Sequence, residues 1–141
     1  MKELRSTHLL TVRFNEVDSL GIVWHGHYIA YMEEAREAFA KKHGISYLDI
    51  KKEGFDVPIV KTSTEHLLPL KYGDSMMVET IFKNTFAAKM IFEYVIRNTS
   101  DEVVCKGETV QVFVANETRE MSLATPEFFK QWKLESGLLD G

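Results

Sequence analysis

The chain has 141 residues, 17 basic and 21 acidic side chains, a net charge of −4 and an apolar fraction of 45%. This suits one soluble globular domain, residues 1–141, with a real core, and it lacks the basic excess that a nucleic-acid partner calls for. The single Cys105 excludes an internal disulfide and fits a reducing compartment. Met1 to Ser6 carries no apolar leader and no apolar run approaches membrane-spanning length, so the expectation is a cytoplasmic protein without a membrane span.

In chain order, Thr7–Phe14 alternates loosely and reads as a first strand. Asp18 to Gly21 is a turn, and a long helix is expected over His27–His43, ended by Gly44 at the C′ position. On that helix Glu33, Glu34, Glu37 and Lys41 share a polar arc, opposite Tyr28, Tyr31, Met32, Ala35, Ala38 and Phe39. So broad an apolar face suits a helix cradled by a curved sheet. Arg36 falls on the apolar side and needs an internal partner, while Glu33, three residues earlier, is within pairing reach.

A short helix over Tyr47–Lys52 has Ser46 as N-cap, Asp49 in its first turn and Gly54 as its stop. The period then changes to two. Strands are expected over Val57–Leu68, Ser75–Phe86, Lys89–Asn98 and Glu102–Ala115, with turns at Pro69 to Asp74 and Asn98 to Asp101. Thr125-Pro126-Glu127 reads as the start of a terminal helix, with Thr125 as N-cap and Pro126 at N1. One strand, a long helix and an antiparallel meander make the fold class α+β.

The stretch from Phe14 to Tyr28 holds the candidate chemistry. It puts Asp18, His25 and His27 within a few residues of a helix N-terminus, whose unpaired N–H groups can bind a developing oxyanion. A carboxylate beside such a site can attack an acyl carbon or activate water. The plainer reading of Asp18 is a turn cap, and that of His25 is a turn residue whose main chain alone matters. A metal at His25 and His27 would need a third and a fourth ligand that no other His or Cys cluster supplies, so no metal is expected. His66 and Cys105 sit in strands and are assigned to core or interface. Glu65 and His66 are adjacent in a strand, point to opposite faces, and are rejected as a dyad.

The segment from Asp18 to Tyr28 (DSLGIVWHGHY), followed by Glu33-Glu34-Ala35-Arg36, resembles the 4-hydroxybenzoyl-CoA thioesterase-like family of hotdog-fold acyl-CoA thioesterases. The family pattern is Asp-x-x-Gly-x-Val-x-His/Tyr-x-Asn-Tyr, then Glu-x-Ala-Arg; Pro69-x-x-Tyr72-Gly73-Asp74 matches as well. The likeness covers roughly residues 7–115, and His27 departs from it by replacing the Asn. It implies an antiparallel sheet of about five strands wrapped around the long helix, and a homodimer, in many relatives a homotetramer, with active sites at the interface. It implies Asp18 as the catalytic carboxylate and the main-chain N–H at His25 as the group that polarises the thioester carbonyl.

On this reading the protein hydrolyses an acyl-CoA without a cofactor. Asp18 and His25 are the catalytic candidates, and Gly21, Val23, Trp24 and Tyr28 the substrate-binding ones. A five-stranded sheet leaves an exposed edge, and the long middle and last strands are expected to pair with a second copy. The alternatives are an acyl-carrier-protein thioesterase and a non-catalytic acyl-CoA-binding module, which would need no positioned carboxylate. A hotdog dehydratase is disfavoured because its motif centres on a helical His.

Overall fold

The computed structural model describes residues 3–139. Its first strand, β1, spans Leu4–Thr11, with Leu4, Ser6, His8 and Leu10 turned inward and the alternate residues exposed. The strand lies three residues earlier than expected. All of β1 pairs with a later strand, and then the Val12 N–H turns to Asp74 O at 2.9 Å and the Arg13 N–H to the Glu16 carboxylate at 2.7 Å. With its donors taken the backbone leaves the sheet, and Phe14–Glu16 forms one 3-10 turn.

Helix α1 spans His27–Lys42 and buries Tyr28, Tyr31, Met32, Ala35 and Phe39, while Glu33, Glu34, Glu37 and Lys41 stay exposed. Arg36 finds its internal partner in Tyr94, whose Oη accepts from Nη1 at 3.3 Å; Glu33 is 3.9 Å from Nη2. Helix α2 spans Tyr47–Lys52 as expected, and Ser46 and Asp49 cap each other's backbone N–H groups.

The short strand β2 (Phe55–Asp56) precedes β3 (Ile59–His66), followed by β4 (Ser75–Lys83), β5 (Lys89–Asn98), β6 (Val103–Val112) and the short β7 (Val114–Ala115). The strand expected over Val57–Leu68 is therefore interrupted before Ile59, since Pro58 has no N–H to give a ladder. The last strand breaks at Phe113, whose side chain is fully buried and whose carbonyl accepts from Ser122 N–H at 2.8 Å. β4 stops at Lys83, leaving Phe86 exposed in the following turn.

The five long strands form one antiparallel sheet in the order β1-β4-β5-β6-β3, and β2 pairs with β7 apart from it. This corrects the expectation that the middle and last strands pair with a second copy. β5 lies between β4 and β6, and β6 between β5 and β3, so neither has a free edge. The free edges belong to β1 and β3.

Helix α3 spans Glu127–Glu135. Pro126 takes the N-cap position in place of Thr125, because its ψ of 148° is extended and keeps it out of the helix. Phe129 and Trp132 of α3 close the core against Phe82 and Phe113, and Trp132 Nε1 donates to His43 O at 2.7 Å. Each such buried aromatic contributes roughly 1.5–3 kcal/mol. Among the described residues no helix is long and apolar enough to cross a membrane.

Candidate active site

The loop between the 3-10 turn and α1 is a small clasp. Val17 bridges Val23, Asp18 N–H donates to Ile22 O at 2.8 Å, and Gly21 N–H returns to Asp18 O at 2.9 Å. At its tip Gly21 has φ +79°, the left-handed region that an L side chain enters only at a cost. The clasp is stitched to the turn after β3: Val23 N–H donates to Leu70 O at 2.8 Å and Ile22 bridges Lys71. Asp18 Oδ1 accepts from Leu20 N–H at 2.8 Å, the turn-capping bond of the plainer reading. Asp18 Oδ2 has no partner among the described residues.

The chain then enters α1 through Trp24, His25 and Gly26. Trp24 N–H donates to Glu16 O at 3.0 Å, and His27 N–H returns to Trp24 O at 3.0 Å. Between these two bonds the N–H groups of His25 and Gly26 donate to nothing among the described residues, and no side chain caps the helix. The absence of a Cβ at Gly26 lets the Trp24 ring lie against it; a larger residue there would have to displace that half-exposed ring. His27 occupies the first position of α1, with its ring edge-on to Trp24 at 5.5 Å.

Asp18, Val23, His25 and Tyr28 meet in one cleft of about 280 Å³, together with His66 at the far end of β3 and Pro69 in the turn beyond it. Gly21 and Trp24 do not line it. Gly21 serves the clasp conformation, and Trp24 lies half-exposed against Gly26 and the His25 ring. Tyr28 is buried, and burial holds its phenol above the usual range. The glutamates and Arg36 of α1 do not line this cleft.

Two residues at or beside the cleft were not among the sequence candidates. His66, assigned to core or interface, is exposed and lines the cleft, its ring 5.0 Å from Tyr28 and 6.3 Å from His25. Its Nε2 lies 3.0 Å from Thr64 Oγ1 and its Nδ1 3.9 Å from Cys105 Sγ. The signal was available in the strand alternation, which puts His66 on the face that Thr64 shares. Cys105 is fully buried, and burial pushes its thiol up to about 11, so it stays a thiol and offers no nucleophile. The other omission is Glu16, a buried carboxylate next to the clasp. Among the described residues no cluster of three or more His, Cys, Asp or Glu side chains forms a metal site.

A five-stranded antiparallel sheet packed against one long helix is the hotdog fold of the solved structures the chain resembles, and its relatives make it a thioester hydrolase. Residues 12–132 match the family profile described as the thioesterase-like superfamily, and the chain belongs to that family. YneP of Bacillus subtilis (strain 168), provisionally named an acyl-CoA thioesterase, is 32% identical over 109 residues, 77% of this chain and 79% of that one. The DHNA-CoA thioesterase from Staphylococcus aureus has the same fold, with a TM-score of 0.84 at 23% identity over 94% of this chain and 89% of that one. A 4-hydroxybenzoyl-CoA thioesterase, as an aspartate-to-asparagine variant complexed with 4-hydroxybenzoyl-CoA, gives 0.78 at 18% identity over 91% and 97%.

Proposed function

We propose that the protein hydrolyses an acyl-CoA thioester, with Asp18 as nucleophile or general base and the N–H groups of His25 and Gly26 as the oxyanion site. The observation that carries this reading is the convergence on one cleft of the Asp18 carboxylate and the uncapped entrance of α1. A thioester carbonyl directed at the two unpaired N–H groups gains from the partial positive charge of the helix end, most strongly as its oxygen becomes anionic. Asp18 Oδ1 is held by Leu20, which orients the carboxylate and leaves Oδ2 for the chemistry.

In one route Oδ2 attacks the acyl carbon, the C–S bond breaks, and water then cleaves the mixed anhydride. In the other Oδ2 takes a proton from water as that water attacks. Both expel a thiolate whose conjugate acid has a pKa of ~8.5, so no strong acid is needed and His25 serves as an accessory. Val23 and Tyr28 form the wall against the acyl group, while Gly21 and Trp24 shape the loop that carries it. The names carried by YneP and the two solved structures support CoA as the thiol carrier.

The assembly that suits this reading is a homodimer joined along β3, with a homotetramer as a pair of such dimers. β3 is a free edge carrying exposed Val60, with Leu67 and Leu68 exposed just beyond it. Antiparallel pairing about a two-fold axis lays the Ile59 end of one β3 beside the His66 end of the other. It thereby brings a second cavity of the partner, between α1 and the Ile59 end of β3, alongside the Asp18 cleft. The buried, unpaired Cys105 accords with a cytoplasmic location.

The test is a hydrolysis screen against a panel of acyl-CoAs with a thiol-detecting dye. Turnover of at least one acyl-CoA, with competitive inhibition by free CoA and a CoA-dependent rise in Tm, is expected. Equal hydrolysis of simple thioesters with no response to CoA would point to another carrier, such as an acyl-carrier protein. Light scattering should give at least a dimer; a monodisperse monomer at micromolar concentration would remove the shared site.

A further inference from the structure

Glu16 takes no part in the chemistry proposed above, yet it is bonded to both elements that shape the cleft. Its side chain is buried, with Oε1 accepting from Arg13 N–H at 2.7 Å and from Tyr31 Oη at 2.9 Å, and Oε2 accepting from Arg13 Nε at 3.2 Å. Its main-chain carbonyl accepts from Trp24 N–H at 3.0 Å. Burial alone would raise this carboxyl group, but the bonds from Arg13 and Tyr31 outweigh it and hold the group below its ordinary range. It is thus an ionised carboxylate only 6% exposed, kept there by three hydrogen bonds from Arg13 and Tyr31.

The geometry around it explains what a charge is for. Trp24 is the fulcrum of the helix entrance: Glu16 holds its N–H, and its own carbonyl holds the N–H of His27. The peptide groups of His25 and Gly26 hang between those two bonds. Tyr31, one turn into α1, carries the other half of the clamp, and its ring meets Tyr28 of the cleft wall edge-on at 5.8 Å. The strand exit at Arg13 and the wall of the cleft are therefore tied to the side chain of Glu16, and the oxyanion donors to its main-chain carbonyl.

We propose that Glu16 is a positioning residue for the hydrolysis, setting the direction of the His25 and Gly26 N–H groups by locking Tyr31 to Arg13 while its carbonyl holds Trp24. The proposal rests on the oxyanion role of those two N–H groups. It needs no contact between Glu16 and substrate. Its effect falls on the transition state, because donors turned away from the developing oxyanion lose more there than in the ground state.

The test uses Glu16→Gln and Tyr31→Phe, each in the full chain and well below its Tm. Gln keeps one acceptor for Arg13 N–H and Tyr31 but sets an amide donor against Arg13 Nε; Phe removes only the Tyr31 bond. Two readouts are taken, the amide ¹H–¹⁵N shifts of His25 and Gly26, and kcat and KM on the best acyl-CoA of the panel. In Glu16→Gln those two amides should shift, and kcat should fall ~10-fold with KM held within ~2-fold. Tyr31→Phe should do the same with a smaller loss, about 3-fold, and it carries the test if Glu16→Gln does not fold. Wild-type kcat in both variants, with shifts confined to the surroundings of Arg13 and Tyr31 and only Tm reduced, would overturn the positioning role. A wild-type protein inactive on every thioester would instead overturn the functional reading, and the positioning role with it.

Discussion

Helix α1 borders two cavities, and their contrast shows what a site requires. At its N-terminal end is the cleft of about 280 Å³ with Asp18, His25, Tyr28 and His66. Along Glu33, Arg36, Glu37 and Ala40 is a larger one, of about 540 Å³, walled by such residues as Ile45, Ile50, Met90 and Phe92. The larger cavity has volume and apolar surface but, among the described residues, no open helix end. Its polar lining includes Glu33, Glu37, Asp56 and Arg119, together with Arg36, already bonded to Tyr94, and Gln111, whose Oε1 has no partner among the described residues. Space for a ligand and machinery for a reaction are separate properties, and on the proposed reading they lie at different places along one helix of each copy. In the proposed dimer the two would adjoin, the cleft of one copy supplying the chemistry and the cavity of the other the room.

The most direct way to break this division is Asp18→Asn. The amide keeps an oxygen for Leu20 N–H, so Tm should stay within a few degrees of wild type, since a cap change is worth about 1 kcal/mol. Turnover should fall at least ~100-fold, the low end for general-base catalysis, with CoA still bound. A folded Asp18→Asn protein with near-wild-type turnover would return Asp18 to its capping bond alone, with His25 and Glu33 the next groups to examine.

Ala40→Trp probes the other cavity. Filling it should raise KM for bulky acyl-CoAs by ~10-fold while affecting acetyl-CoA far less, as expected if that space receives the acyl group of the neighbouring copy. Unchanged steady-state constants for every chain length would separate this cavity from the reaction.

Gly21→Ala tests the clasp without touching a reacting group. At φ +79° the added Cβ meets no neighbour, so the cost is backbone strain of about 1–2 kcal/mol, read as a Tm lower by roughly 2–4 °C per kcal/mol. A Tm equal to wild type would show that the clasp relaxes freely.

A further effect is alkaline. In the folded state burial raises the pKa of Cys105 from 9.0 to about 11, so between these values the fold holds a proton that the unfolded chain has lost. Folded protein binds more protons there, and stability therefore falls as pH rises through that window. Tyr28, Tyr31 and Tyr94 are also raised and act in the same direction, whereas buried Lys133, lowered by desolvation, opposes them. Tm should decline from pH 9 to pH 11, and Cys105→Ala should flatten the slope. A slope identical in the variant would remove Cys105 from the account.

The elements legible from the residues are those whose signals are local. α2 with its Ser46–Asp49 cap and β5 with its period of two have the bounds their sequence implies, and α1 ends one residue before the expected limit. The motif around Asp18 likewise brought Asp18, Val23, His25 and Tyr28 to one cleft. Errors fell where a distant partner decides an end. β1 stops where its donors find Asp74 and Glu16, and β6 stops where Phe113 turns into the core. Gly21 and Trp24 lie outside that cleft, because a loop residue's direction depends on the bonds its neighbours make. Trp24 faces Gly26 because the Glu16 carbonyl holds its N–H.

The sequence by itself determined the faces of α1, the alternation of the strands, the α+β class and a carboxylate placed before an open helix end. Each of these follows from the 3.6- and 2-residue periods and from turn chemistry spanning a few residues. Tertiary structure decided which strands have a free edge, that His66 and Pro69 reach the cleft from the end of β3 and the turn after it, and that Arg36 meets Tyr94. It also decided that Glu16 meets Tyr31. Those contacts join residues far apart in the chain, and they depend on strand order and core packing, where a long loop costs little more to close than a short one. Local periodicity tells which way a side chain points, and only the closed sheet decides what it finds there.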